Sequence, residues 1–555
     1  MQRAGGHIMI KFNENDKILS NISRIVEKRA KGEINLTLVL DESLGEYNGK
    51  YENGVITGGS YHSILELCGR YLRNPKMKNT EFHSHKEACG IYFASHRNNY
   101  YVEAPLSELY DYVEDLALWG MNLIQMWFSI CEHDSIEDGR ELIDRIKSIL
   151  KHCKSIGVKT ILATIVNGAF KNNSPEHLRA DWTSGHDGYI YNLNAHYHIE
   201  LCPSTEEGMA KIIENRKMFL EEFKDVAPDY ISLGAYDQGG CSCSKCAPWG
   251  GNGYVKCCEE TLKLVKKYLP NTKCILSTWQ FGTFTGNDDE FIGLKKAIEN
   301  GPLKECAYIR SEPQYQFYPF REGMPLPLVG FSEISMCSTL PWGGYGTNPI
   351  PRLLQILWDK DGDKLEGGLP YSEGIFEDIN KVIMLRFYRE NKSASDTVKE
   401  YLAYEFGLSG EMLDKVHMAI MDMEDTFYRS CESGHSYPLR IPPYVPEEYK
   451  VKADTKIMPG IEKAIVEANN SLPKEIQENK KWQLIYLRAV IDGELSRNNM
   501  TRNDKVMEYF KTIEKMFYLE KAGRCVHPDV IEADIYGKDL TPEQFQILAA
   551  GGTLD

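Results

Sequence analysis

Between Cys89 and Glu390 one pattern repeats: a short run of branched and aromatic residues, then a longer segment with apolar residues at helical spacing. The strand-like runs are Gly90–Ala94, Asn122–Phe128, Lys159–Ile165, Asp229–Ala235, Thr272–Trp279, Glu305–Ile309, Leu328–Ile334 and Gly367–Tyr371. Helical periodicity fills most gaps, at Leu106–Trp119, Glu141–Ile156, Glu206–Phe223, Tyr254–Tyr268 and Asp288–Asn300. Such alternation is the pattern of βα units around a parallel sheet, and eight of them in about 300 residues match a (β/α)8 barrel. The alternative, an open doubly wound sheet, would carry a Gly-rich dinucleotide turn after the first strand. Ala94-Ser95-His96-Arg97-Asn98 is not one.

The flanks have a different texture. Residues 10–88 read as a small α/β domain, with a helix at Ile18–Lys28, a strand at Asn35–Leu40, and a strand–turn–helix over Gly54–Thr57, Gly58-Gly59 and Tyr61–Leu72. Residues 89–390 are then the barrel, and 391–555 a helical region. Helical periodicity there covers Ser393–Phe406, Gly410–Arg429, Gly460–Asn470, Lys480–Arg497 and Asp504–Glu520, with a break at Pro442, Pro443 and Pro446. A chain of 555 residues is too long for one core, so this division agrees with length. Met1–Ile8 reads as an appended segment, with Met9 as the native start.

Composition excludes some functions. A formal charge of -16 disfavours nucleic acid, whose phosphates demand a basic surface. No apolar run approaches a membrane span, and no apolar stretch near Met1 resembles an export signal. The fifteen cysteines, odd in number, then read as cytoplasmic thiols or metal ligands. Self-association into a homo-oligomer is left open.

In such a barrel the chemistry lies where strands end and βα loops begin. Strand one ends at His96, Arg97 and Asn98, strand four at Tyr236-Asp237-Gln238, and strand five at Trp279-Gln280. Strand six leads to Glu312 and Gln314-Tyr315-Gln316, and strand seven to Glu333. Strand eight ends at Tyr371-Ser372-Glu373, with Glu377 beyond it. Aromatic rings stack on pyranose faces, and amides and carboxylates hydrogen-bond hydroxyls. Glycosidic cleavage needs two acids. The candidate acids are Glu333, Glu373, Asp237 and Glu312. The candidate sugar-binding residues are His96, Arg97, Tyr236, Trp279, Gln280, Tyr315, Trp342, Tyr371 and Glu377. Asp237 and Glu377 are also placed to cap the helices that follow them. Glu333 follows the apolar run Leu328–Phe331, and desolvation there suits a proton donor, though a nucleophile on that strand fits equally.

Cys241, Cys243 and Cys246 stand within six residues after strand four, and Cys202 follows strand three. Four thiols from adjacent loops suit a closed tetrahedral zinc site of structural type. Metal-free thiols are the alternative; His196 or His198 could replace Cys202, whereas Cys257 and Cys258 fall within a helix. No organic cofactor is expected. The loop Pro341–Pro349 reads as a pocket wall with Trp342 as a platform, or as a cradle for a sugar phosphate.

Gly58-Gly59-Ser60-Tyr61 through Arg70-Tyr71-Leu72 resembles the strand–turn–helix in the N-terminal α/β domain of family 20 hexosaminidases and family 67 α-glucuronidases. Asp229–Cys246, with its CxCxxC, resembles the barrel domain of glycoside hydrolase family 163, the endo-β-N-acetylglucosaminidases of gut bacteria. The resemblance covers residues 30–390. It implies a glycosidase acting on short oligosaccharides, with β-linked N-acetylhexosaminides foremost. Family 20 enzymes carry an adjacent Asp-Glu pair after strand four, where this chain has Tyr236-Asp237-Gln238, so their chemistry does not transfer. A uronidase using Arg97, or a non-catalytic sugar-binding protein, are the competing readings.

Overall fold

A computed structural model describes residues 8–95, 99–180, 199–235, 239–282, 286–313, 316–334, 347–374, 377–426, 454–499 and 501–518. The first layer is a five-stranded sheet of β1 (Ile8–Lys11), β2 (Ile34–Leu40), β3 (Asn48–Glu52), β4 (Val55–Gly58) and β5 (Thr80–His83), in the order β1-β2-β4-β3-β5. Ile8 pairs with Ile34, so the sheet begins within the segment read from sequence as appended. Two helices cover it, α1 (Lys17–Arg29) and α2 (Tyr61–Arg73). Asp16 caps α1 by accepting from the Ile18 and Leu19 amides, and Leu19, Ile22, Ile25 and Val26 form its buried stripe at helical spacing. β3 and β5 escape a sequence reading because they are polar and partly exposed.

The second sheet is a closed parallel barrel. Its strands are β6 (Ala88–Phe93), β7 (Leu123–Trp127), β8 (Lys159–Ile165), β9 (Tyr230–Gly234), β10 (Lys273–Ser277), β11 (Tyr308–Ser311), β12 (Leu328–Gly330) and an eighth strand in two pieces, β13 (Gly367–Gly368) and β14 (Tyr371–Ser372). β13 and β14 both pair with β6 and close the ring. The helices between strands are α3 (Tyr100–Glu103), α4 (Leu106–Leu118), α5 (Arg140–Ser155), α6 (Glu206–Glu222), α7 (Gly253–Tyr268), α8 (Asp289–Asn300), α9 (Phe317–Glu322) and α10 (Pro351–Asp361). The architecture is thus a (β/α)8 barrel, as expected. The sixth strand is displaced: a 3-10 turn occupies Pro302–Glu305, and the strand runs to Ser311, which brings Arg310 into it.

Register decides which side chains face the barrel interior. Tyr92 pairs with Gln125, Gln125 with Ile161, and Ile161 with Tyr230. Followed round the ring, this row returns to the first strand at the level of Ser84, the eight-residue stagger of a (β/α)8 barrel. Outward parity is marked by Phe93, stacked on Tyr101, and by Thr164, which accepts from Arg216 of α6. Inward residues from alternate strands therefore form layers. Gln125, Ser232, Arg310 and Leu369 make one, with Tyr92, Ala163, Ser277 and Phe331 above it. Trp127, Gly234, Glu312 and Tyr371 come next, then Ala94, Ile165, Trp279 and Glu333.

Behind the eighth strand lie α11 (Asp378–Glu390), α12 (Ala394–Phe406), α13 (Gly410–Met423), α14 (Met458–Ser471), α15 (Lys474–Gln477), α16 (Lys480–Arg497) and α17 (Asp504–Met516). Lys481 of α16 lies 3.3 Å from Asp378, 3.4 Å from Glu405 and 3.6 Å from Asp115, tying α16 to α11, α12 and α4. No described helix is long and apolar enough to cross a membrane.

Glu66 of α2, fully buried, joins the first layer to α11. It accepts from Arg70 at 2.8 Å and Arg386 at 3.2 Å. Burial alone would raise its carboxyl, but Arg70, Arg386 and Arg389 hold it at about 2. A carboxyl held below its unfolded value stabilises the fold above pH ~4.3 and loses that contribution as pH falls towards 2. Glu66→Gln is expected to cost about 3 kcal/mol near neutrality. In urea titrations its difference from wild type should shrink between pH ~5 and pH ~2; a constant difference would refute the assignment.

Candidate active site

Three of the four candidate acids fall on inward positions of neighbouring strands. Glu312 follows β11, Glu333 bridges to Tyr371 beyond β12, and Glu373 follows β14. Each stands one layer higher than the last, so the acids climb like a stair across strands six, seven and eight. Strand spacing and rise place the Cα atoms of successive acids roughly 8 Å apart. Their carboxyls can then close to about 5–5.5 Å or open to about 6.5–9.5 Å, the two separations that glycoside cleavage uses. Glu312 and Glu333 are buried. The backbone at Glu312 is fixed by Gln316, whose Oε1 accepts the Glu312 amide at 3.0 Å and the Thr278 hydroxyl at 2.9 Å. The Tyr371 hydroxyl donates to Glu373 Oε1 at 2.9 Å.

Aromatic rings line the same face. Phe331 meets Trp279 at 5.4 Å, Tyr92 at 5.7 Å and Tyr371 at 5.8 Å between centroids, and Tyr92 meets Tyr371 at 5.2 Å. Of these, Trp279 and Tyr371 were expected from sequence; Tyr92 and Phe331, and Trp127 at 6.4 Å from Tyr92, were not singled out, although each has the inward parity of its strand. Gln280 follows Trp279 in a turn closed by the Phe281 amide on Thr278 O, with φ of 68°, a value costly for a residue with a Cβ.

Glu377 lies elsewhere. Its carboxylate accepts from the Glu373 amide at 3.3 Å and from Ser372 Oγ and Lys381 Nζ at 3.4 Å each. Ser372 has the pleat opposite to Tyr371 and Glu373, so Glu377 stands on the outer side of the eighth strand. It begins α11 but makes no side-chain cap there. Lys381 also donates to the Gly374 carbonyl and, at 2.7 Å, to Tyr112. The pair braces the backbone that carries Glu373. Asp237, His96, Arg97, Tyr236, Tyr315 and Trp342 lie outside the described residues, as do His196 and His198.

The four cysteines do come together. All Sγ atoms of Cys202, Cys241, Cys243 and Cys246 lie within 4.8 Å of one another. Cys202 is 3.8 Å from Cys243 and 3.9 Å from Cys246, close to the edge of about 3.8 Å that Zn–S bonds of about 2.3 Å give in a tetrahedron. The Cys202 thiol also donates to Ser204 Oγ at 3.0 Å. Cys246 is itself braced, its amide donating to Cys243 O at 2.9 Å. The cluster could hold a metal ion. It joins the segment before α6 to the loop after β9. Trp249 packs over Gly240 and Gly253 beside it, which gives the glycines of this loop a packing role.

No protein-family model matches the sequence, and no curated protein matches it. Solved structures do share the fold. A family 89 glycoside hydrolase from Clostridium perfringens in complex with PUGNAc superposes with a TM-score of 0.60 at 12% identity, covering 90% of this chain and 64% of that one. The same family's enzyme from that organism, in complex with GlcNAc-α-1,4-galactose, gives 0.61 at 12% identity, again over 90% and 64%. A family 138 enzyme targeting pectin rhamnogalacturonan II gives 0.55 at 9% identity, over 93% and 74%. The chain therefore spans 64% of the length of the family 89 structures, and at this identity the likeness is one of fold.

Gln280 offers a direct check on strain at this face. Gln280→Gly, which removes the Cβ from a left-handed position, is expected to stabilise the fold by about 0.5–1 kcal/mol in urea titrations. A loss of stability would show that the side chain, rather than the turn, sets this conformation.

Proposed function

We propose that this chain is a glycoside hydrolase acting on short oligosaccharides by a two-carboxylate mechanism. The observation that carries the reading is the stair of Glu312, Glu333 and Glu373 on one inward face. Glu333 neighbours both others and is the centre of the assignment. As a buried acid it suits protonation of the leaving oxygen. Glu373, which accepts the Tyr371 phenol, suits attack on the anomeric carbon or activation of water. Asp237 and Glu312 are the further acids, and Trp279, Gln280 and Tyr371 line the sugar site with His96, Arg97, Tyr236, Tyr315 and Trp342. Glu377 supports it from behind. The family 89 structures of like fold, bound to PUGNAc and to a GlcNAc-galactose disaccharide, support N-acetylhexosaminides as first substrates to try. The twelve described cysteines form no disulfide with one another, in keeping with the reducing, cytoplasmic location we propose.

A screen of aryl-glycosides should find one cleaved by wild type. Glu333→Gln and Glu373→Gln should each lower kcat/KM at least about 100-fold. Full activity in both variants would overturn the assignment of acids, and no cleavage of any glycoside would overturn the reaction.

We also propose that Cys202, Cys241, Cys243 and Cys246 hold zinc. Four protein ligands leave no open position, so the ion would be structural. Elemental analysis should find about one zinc per chain, lost in Cys243→Ser together with thermal stability; protein free of zinc as purified would refute it.

A further inference from the structure

The layer beneath the acids holds polar groups that no neighbour satisfies. Arg310, on β11, is 3% exposed. Its Nη2 donates to Ser277 Oγ at 2.9 Å, while Nε and Nη1 are buried without a hydrogen-bond partner. In the same layer Gln125 is fully buried with neither amide atom partnered, and the Ser232 hydroxyl is likewise alone. Unsatisfied groups are ordinarily scattered through a protein and few. Here three share one layer of one barrel.

The charge matters as much as the hydrogen bonds. No ion pair forms at Arg310 among the described residues. Its guanidinium lies 4.6 Å from the Phe331 ring and 5.5 Å from the Tyr92 ring, so aromatic faces offset part of its lost hydration. Glu312, two residues on, contributes its charge from the layer above. Burial still outweighs these and pulls the guanidinium below its ordinary value. A water molecule could accept from Nε or Nη1 but would leave Glu312, one layer up, as the only carboxylate facing the charge among the described residues. An anion answers both needs.

The levels above the guanidinium are also asymmetric. Between Arg310 and the level of Glu312, strands three, four and five present Ala163, Gly234 and Ser277 on the inward face, below Ile165 and Trp279, whereas the opposite wall carries Tyr92, Phe331 and Tyr371. At these levels the bulk is thus carried by strands one, seven and eight, small residues stand on strands three, four and five, and all of them are buried.

We infer that Arg310, with Gln125 and Ser232, is a receptor for an anionic substituent of the sugar, a carboxylate or a phosphate, reaching down past the acids. This rests on the glycosidase reading for the sugar; the charge requirement stands on the layer itself. The ring would lie against Trp279 and Tyr371, and its anionic arm would run along the side of Ala163, Gly234 and Ser277.

The test is equilibrium binding by calorimetry to the full chain, with D-glucuronate, N-acetylglucosamine 6-phosphate, D-glucose and N-acetylglucosamine. One acidic sugar should bind about tenfold or more tightly than its neutral counterpart; glucuronate marks a carboxylate site, the 6-phosphate a phosphate site. Arg310→Met should abolish the preference and Arg310→Lys keep part of it. Gln125→Leu should weaken the acidic sugar alone, and covers the case in which Arg310 variants fail to fold. Equal binding of acidic and neutral sugars, binding of none, or a preference surviving in folded Arg310→Met overturns the receptor. Binding is read without turnover, so cleavage of neutral aryl-glycosides with no acidic preference sinks the receptor and leaves the hydrolase, whereas acidic preference without cleavage does the reverse.

Discussion

The stagger of the closed sheet is the constraint on which the rest depends. Eight parallel strands can share every ladder hydrogen bond only if each is displaced along its neighbour, and that displacement sets the height of each inward side chain. Glu312, Glu333 and Glu373 stand at three heights because their strands do. The same rule puts Arg310 with Gln125 and Ser232, residues distant in sequence and on strands that never touch. A one-residue slip would turn all of these outward into the helices.

Electrostatics then fixes what the ladder leaves loose. The eighth strand is two short pieces, with few hydrogen bonds of its own. Its far end is held by Lys381 and Glu377, and Lys381 meets Tyr112, which donates to Asp378 at 2.9 Å. Asp378 in turn accepts from Tyr401 at 2.7 Å and pairs with Lys481. Further along α11 Glu66 collects Arg70 and Arg386. Both networks are buried, so each member is held by the others rather than by water.

Most of the barrel was legible in the sequence because its strands are apolar runs bounded by amphipathic helices. β8 and α16 match their expected limits residue for residue. The sixth strand did not, since an inward Arg310 followed by Ser311 looks like a loop to any rule that expects an apolar interior. That is also why Arg310 was missed as a site residue. Glu377 shows the opposite difficulty: its position after strand eight was correct, but one pleat and a lysine one turn on put it behind the wall. Pleat parity, not sequence position, separates it from Glu373. The cysteine cluster was legible because a barrel makes the third and fourth loops neighbours whatever their separation along the chain.

Lys481 belongs to α16, far along the chain from Glu373, yet the path between them runs through side chains that touch one after another. The C-terminal helices thus act as ballast for the strand that carries the highest acid. Substitutions drifting into these helices would be felt first as a loosened strand eight, while the barrel itself still stands. An engineer trimming the chain to a minimal barrel would keep the fold's outline and lose its aim.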